Sequence, residues 1–192
     1  MICYLLRHGK DGSNVRGGWS NSCLSDEGIL QVKNLTKYIS EYKDELRIKK
    51  LFSSDLPSAL QTAKPISELL NIKIKLTPEF CETNNGLLAD MPNDIAAKKY
   101  PGLHWNTLEW NEPYPQGESP CDFYMRIKTA WTKFTNTISR RDENVILVTH
   151  SGVINIIYSL IDEVSFSNKV KAEFIPYAEL IPLNNTSGAW KR

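Results

Sequence analysis

The chain has few histidines, no cysteine pairs at metal spacing, no long apolar run and almost no net charge, and each shortage closes off a class of function. The four cysteines, Cys3, Cys23, Cys81 and Cys121, show neither CxxC spacing nor histidine partners at metal-ligand intervals, so no metal is expected and they read as free thiols. None follows a strand beside a basic group, which argues against a catalytic thiolate. No apolar stretch reaches the roughly 18 to 20 residues of a membrane span. The N-terminus lacks the basic region and cleavage site of a signal peptide, so a soluble, cytoplasmic protein is expected. A net charge of +1 leaves no concentrated basic face for nucleic acid or an anionic membrane. Internal repeats and low-complexity segments are missing too, and 192 residues at 41% hydrophobic content suit one core and a single domain over 1–192.

Two of the three histidines sit at equivalent places. Residues 1–9, MICYLLRHG, form an apolar run with the length of a strand buried on both faces, which then delivers Arg7, His8 and Gly9 at its carboxyl end. Residues 144–152, NVILVTHSG, repeat the arrangement with His150, Ser151 and a glycine. In open α/β sheets, ligands bind at the carboxyl ends of the strands. Around these two stretches the chain alternates strand and helix. Ser25 is a candidate N-cap with Asp26 and Glu27 at the positive end of the dipole, Leu24 and Ile29 are a candidate staple, and Ile29, Val32, Leu35 and Ile39 recur at helical spacing. A strand is expected at 48–53, and after it a helix with Pro57 in its first turn, kinked or split at Pro65 and closed by Asn71. A short strand follows at 73–76. Ser119 and Pro120 open a long helix bearing Phe123, Ile127, Ala130, Trp131, Phe134 and Ile138 on one side and ending at Arg140 and Arg141. Another helix is expected from about residue 152, then one short helix and a strand near 174–183. This order predicts a three-layer α/β/α sandwich around a mainly parallel sheet.

Residues 10–23 are rich in Gly, Ser and Asn and read as a loop, with Asn14 and Arg16 close to His8 in sequence. Residues 83–118 lose periodicity and gather Asn, Pro, Trp and Tyr; so long an irregular stretch is expected to be a lid over the strand ends. His104, between Leu103 and Trp105, reads as a lid-packing residue, and Lys98 and Lys99 as a solvated pair or a contact for an acidic substrate.

The strand-end residues suit phosphate chemistry. A phosphate monoester repels nucleophiles, so a catalyst must neutralise its oxygens while presenting a neutral attacking atom in line with the leaving group. Unprotonated, His8 can attack through a ring nitrogen, while Arg7 disfavours the imidazolium and offers forked donors. A protonated His150 adds a charged donor, and the N–H groups of the helix after it favour anions. Glu82, at the edge of the irregular stretch, is the candidate to protonate the leaving oxygen.

Arg7-His8-Gly9, SSDLPSALQTA at 53–63, Glu82, Gly117-Glu118-Ser119 and Thr149-His150-Ser151 together resemble the histidine phosphatase superfamily, which includes the cofactor-dependent phosphoglycerate mutases. The resemblance runs in order over about 1–158. It implies that His8 becomes phosphorylated, that Glu82 donates the proton, that Asn14, Ser151 and His150 join Arg7 and Gly9 at the phosphate, and that a small phosphorylated substrate is hydrolysed without metal or cofactor. Retransfer of the phosphoryl group, as in the mutases, is the enzymatic alternative, and a phosphate-binding pseudoenzyme is the other. One position departs from the pattern: Ser58 stands where the family usually has the pocket's second arginine. Losing a buried charged contact to phosphate costs about 2 to 5 kcal/mol if nothing replaces it. Arg16 is the expected substitute. Lys10, where many relatives have glutamate, is expected to make the mouth more positive.

Overall fold

The computed structural model describes residues 1–12, 14–138, 143–186 and 188–192. In chain order these contain β1 (Ile2–Arg7), α1 (Asp26–Glu41), the single turn α2 (Lys43–Leu46), β2 (Ile48–Ser53), α3 (Pro57–Leu70), β3 (Ile74–Leu76), α4 (Asn93–Lys99), α5 (Pro120–Ile138), β4 (Asn144–Thr149), α6 (Ser151–Ile161), β5 (Leu180–Thr186) and β6 (Ala189–Lys191). The six strands form one sheet in the order β3-β2-β4-β1-β5-β6. β3, β2, β4 and β1 are parallel, and β5 and β6 add an antiparallel edge.

Strand alternation divides the core into two layers, as a period of two requires. Cys3 and Leu5 of β1 and Val145 and Leu147 of β4 pack with Phe123, Ile127 and Phe134 of α5 and Ile154 and Ile157 of α6. Tyr4 and Leu6, with Ile146 and Val148, face Leu35 and Ile39 of α1 and Ala59, Ala63 and Ile66 of α3. Helices on both faces make this the expected α/β/α sandwich. None of the described helices is long and apolar enough to cross a membrane.

Several elements differ from expectation. α3 runs unsplit through Pro65, with Ala59, Thr62, Ala63 and Ile66 kept on one buried stripe. That burial offsets a local cost of about 3 kcal/mol for an interior proline. Ile29 is 57% exposed and no staple; Gly28 is buried in its place. The Ser25 Oγ does cap α1, accepting from the Gly28 N–H at 3.2 Å. Residues 83–118 contain the helix α4, which the sequence pattern did not reveal. Beyond α6 the expected short helix is not found among the described residues, and the last long strand begins at Leu180 and runs antiparallel to β1. The expected helix end at Arg140 and Arg141 lies outside the described residues.

Candidate active site

β1 and β4 are neighbours at the middle of the sheet, with Arg7 in register with Thr149. The next residue on each strand is a histidine, and the His8 N–H donates to the Thr149 carbonyl at 3.0 Å. Parallel pairing therefore brings the two imidazoles together, their ring centroids 5.0 Å apart. Both are buried.

The tautomer of His8 follows from its partner. Its Nδ1 lies 2.8 Å from the Gly9 carbonyl, which only accepts, so Nδ1 carries the hydrogen and Nε2 keeps its lone pair. Burial lowers the His8 pKa below its ordinary value, and the Arg7 charge adds to the effect. His8 is thus a neutral imidazole near pH 7. The Gly9 N–H donates to Thr62 Oγ1 at 3.0 Å, and a Cβ on Gly9 would lie 2.8 Å from the Gly28 carbonyl oxygen. Gly9 thus lies where the chain leaving β1 passes close against α1.

His150 is fixed by a polar chain. Its Nε2 is 2.8 Å from Ser54 Oγ, which is 3.2 Å from Cys81 Sγ, and the thiol donates to Asp55 Oδ1 at 2.9 Å. Because the single thiol hydrogen goes to Asp55, sulfur accepts from the serine hydroxyl, and that hydroxyl accepts from His150 Nε2–H. The other ring nitrogen, Nδ1, is left for a ligand. Burial holds the His150 pKa well below its ordinary value, reinforced by His8, Arg7 and Arg126. His150 is therefore neutral near pH 7, and it becomes a charged donor only where something raises its pKa. Cys81 is no nucleophile: burial, aided by the Asp55 carboxylate, pushes its thiol up to about 11.

Glu82 reaches the start of α6. Its Oε2 accepts from the Gly152 N–H at 3.0 Å and its Oε1 from the Thr83 N–H at 3.1 Å. So the helix N–H expected to meet a phosphate is already bound by a carboxyl group. A Cβ on Gly152 would sit 2.3 Å from Glu82 Oε1, which makes this glycine a requirement for the approach. Burial raises the Glu82 pKa, against the pull of its two N–H donors and the charges of Arg7 and Arg126. The carboxyl is therefore biased toward the protonated form that a proton donor needs.

Arg126 of α5, which sequence reasoning missed, holds this loop in shape. Its guanidinium donates to Glu118 Oε1 at 2.7 Å and to the carbonyls of Glu79, Cys81 and Glu82 at 2.7, 3.1 and 3.0 Å. Glu118 also accepts from the Asn84 N–H at 2.9 Å, which gives the Gly117-Glu118-Ser119 motif its physical reason. Ser119 caps α5 through Asp122, in the reciprocal pattern of a capping box. Only the motif glutamate hinted at a partly buried cation elsewhere.

Arg7 stacks on Tyr177, its Cζ 3.5 Å from the ring centroid, and donates through Nη1 to the Ile175 carbonyl at 2.7 Å. Ser58 is buried in the first turn of α3, where its carbonyl accepts from Thr62 Oγ1. Arg16 borders the same cavity as Arg7, Glu82 and Ser151. Its Nη1 donates to His104 Nδ1 at 3.1 Å, so His104 lines the cavity instead of packing the lid core. The Arg16 backbone is pinned as well, its N–H to the Met91 carbonyl and its carbonyl to the Asp90 N–H. Asn14 is exposed, and its carbonyl accepts from the first residue of α4. Lys10 pairs with Glu27 at 2.5 Å, Lys98 with Asp94, and Lys99 lies over Tyr100, so these three cations are engaged at the surface. The cavity occupies about 870 Å³ and extends from Arg7 and Glu82 past Trp105 and Tyr158 to Phe174 and Arg192. Among the described residues, no three His, Cys, Asp or Glu side chains come together to hold a metal ion.

Residues 3–191 match the profile of the histidine phosphatase superfamily (branch 1). Among curated proteins, the chain is 27% identical over 174 residues to the transcription factor tau 55 kDa subunit of Saccharomyces cerevisiae, with 78% of this chain and 38% of that protein covered. It is 29% identical over 161 residues to a probable phosphatase of Schizosaccharomyces pombe, with 82% of this chain and 71% of that protein covered. The matched region is thus well under half of the first relative and about seven tenths of the second. In fold it is similar to the alpha-ribazole phosphatase of Shigella flexneri, with a TM-score of 0.83, 18% identity, and 99% of this chain and 93% of that one covered.

Proposed function

The chain belongs to branch 1 of the histidine phosphatase superfamily, and from that premise we propose that it hydrolyses phosphate monoesters through a phosphohistidine on His8. His8 Nε2 attacks phosphorus in line with the ester oxygen, the P–O bond breaks, and the Glu82 carboxyl passes its proton to the departing alkoxide. Glu82, now a carboxylate, takes a proton from water. The water oxygen attacks phosphorus, the P–N bond breaks, and inorganic phosphate leaves with His8 neutral again. Arg7, Arg16, Ser151 and the Nδ1 side of His150 surround the phosphoryl oxygens, with Gly9 giving the backbone room beside them. The anion opposes the positive charges that depress the His150 pKa, so protonation of His150 accompanies binding.

The observation that carries this reading is the pairing of a neutral His8, its free lone pair on Nε2, with a second imidazole at 5.0 Å and a carboxyl group of raised pKa on the next loop. Support for an anion comes from Arg7 Nε and Arg16 Nε, both buried with no protein acceptor among the described residues. Hydrolysis is favoured over mutase-type retransfer because Lys98 and Lys99, the lid's cation pair, are engaged on the surface and do not line the cavity. Metal plays no part in the proposed steps.

Rapid quenching of the protein with radiolabelled phenyl phosphate, followed by acid and base treatment, tests the mechanism. An acid-labile, base-stable label that vanishes in His8→Ala, with kcat/KM falling by about a thousandfold or more, is expected. Turnover that persists in His8→Ala would sink it.

A further inference from the structure

The cavity is much larger than a phosphoryl group, and its two ends differ in chemistry. About 870 Å³ falls in the range of roughly 300 to 1,000 Å³ that accommodates drug-sized molecules. The inner end has Arg7 and Arg16. At the outer end Arg192 donates from Nε to Asp162 at 2.9 Å and from Nη1 to Glu173 at 2.7 Å, and lies over the Tyr158 ring at 4.3 Å. With Lys171, those outer residues carry two positive and two negative charges, which offer a second anion no net attraction.

Beside those balanced charges, the outer end exposes a cluster of apolar side chains. Phe174, Val170 and Val164 are 78%, 70% and 58% exposed, among the most exposed large hydrophobic side chains of the molecule, and all three border this one cavity. They are held there, not merely displayed. Asn168 Nδ2 donates to the carbonyls of Trp105 and Leu108 at 2.8 and 2.9 Å. Asn155 accepts from the Glu173 N–H at 2.9 Å and donates to the Glu173 carbonyl at 3.1 Å. These amides fix the segment, which turns Val164, Val170 and Phe174 to the cavity together with Ser165, Ser167 and the paired charges already named. A fixed apolar rim continuous with a reaction centre is a place for the non-reacting part of a substrate.

We propose that the outer half of the cavity is a leaving-group subsite for an uncharged, ring-bearing alcohol, so that the preferred substrate is the singly phosphorylated ester of such an alcohol. The inference rests on the phosphatase reading for the position of the phosphoryl group. It adds that the ring lies against Phe174 and Val170 and that a second phosphate on the ring is not favoured.

Two measurements on the full chain decide the matter. The first compares kcat/KM for 2-(naphthalen-1-yl)ethyl phosphate and propyl phosphate, both primary alkyl esters, so that leaving-group basicity is nearly matched. At least a tenfold preference for the ring, arising mainly in KM, is expected. Phe174→Ala and Val170→Ser, both at exposed positions that folding does not depend on, each reduce the preference threefold or more and leave propyl phosphate unchanged. The second measures calorimetric binding of 2-(naphthalen-1-yl)ethylphosphonate against propylphosphonate, which needs no turnover; tenfold tighter binding is expected and is weakened by the same variants. Equal binding of the two phosphonates, or a preference untouched in both variants, overturns the subsite. Failure of the phosphohistidine reading shows differently, as ring-selective phosphonate binding without an acid-labile label on His8 from either ester.

Discussion

The two ends of the cavity are built by different means. The inner end is set by sheet register: Arg7 opposite Thr149 places two histidines side by side, and the positions that follow are tied by short hydrogen bonds to Gly9, Thr62 and Ser54. Around the outer end, much of the wall comes from irregular backbone, residues 104–106 and 162–175, held at single points such as Asn168 and Asn155. The difference teaches where each kind of change is tolerated. In the proposed reaction, chemistry depends on a backbone ladder that admits little variation, whereas the proposed choice of leaving group depends on side chains that can be exchanged with no strand disturbed.

The contrast is most exposed at Gly152. If inner geometry is as demanding as the ladder implies, Gly152→Ala, whose Cβ would lie 2.3 Å from Glu82 Oε1, displaces the carboxyl and lowers kcat by about a hundredfold. The helix itself should hold, since alanine is the better helix former; an unchanged kcat would show the inner end to be as forgiving as the outer.

Arg16 sharpens the contrast from the other side, because it is an inner-end charge carried on a loop. Arg16→Ala is expected to lower kcat/KM about thirtyfold or more, matching about 2 kcal/mol for a lost charged contact to phosphate. Unaltered kcat/KM would mean that Arg16 does not replace the arginine missing at Ser58.

The smallest effect concerns pH and stability. His150 has its pKa lowered by burial from an ordinary 6.5. As pH falls below that value the unfolded chain takes up a proton that the folded chain refuses, so stability is lost on acidification. His8 acts in the same direction, and Glu82, with its raised pKa, in the opposite one. His150→Gln removes one of these groups, and its urea midpoint should vary less between pH 7 and pH 5.5, by about 1 kcal/mol in unfolding free energy. Parallel midpoint curves for both proteins would refute the assignment.

The same contrast explains what could be read in the sequence. β1 and β4 were legible because a buried parallel strand is a continuous apolar run, and α5 because Phe123, Ile127, Trp131 and Phe134 repeat at helical spacing behind a serine cap. His8, Glu82 and His150 were legible as neighbours of those elements. Arg126 was not, since an arginine among solvated helix positions has no sequence mark that separates it from one clamping three carbonyls. Nor were Ser54 and Cys81, whose roles exist only where β2 and the loop before Glu82 meet. Pro65 misled because tertiary burial of one stripe prevailed over local preference. The outer wall at 162–179 carries no period at all, and side-chain amides take the place of a ladder.

The bond from the His8 N–H to the Thr149 carbonyl has a thermal consequence. It makes His8 the last rung of the central strand pair, in the cooperative unit that melts only with the whole protein. Warming should therefore loosen the outer wall first, blurring the proposed selection among esters while the proposed nucleophile stays in place, and abolish the proposed phosphoryl transfer only when the sheet itself comes apart.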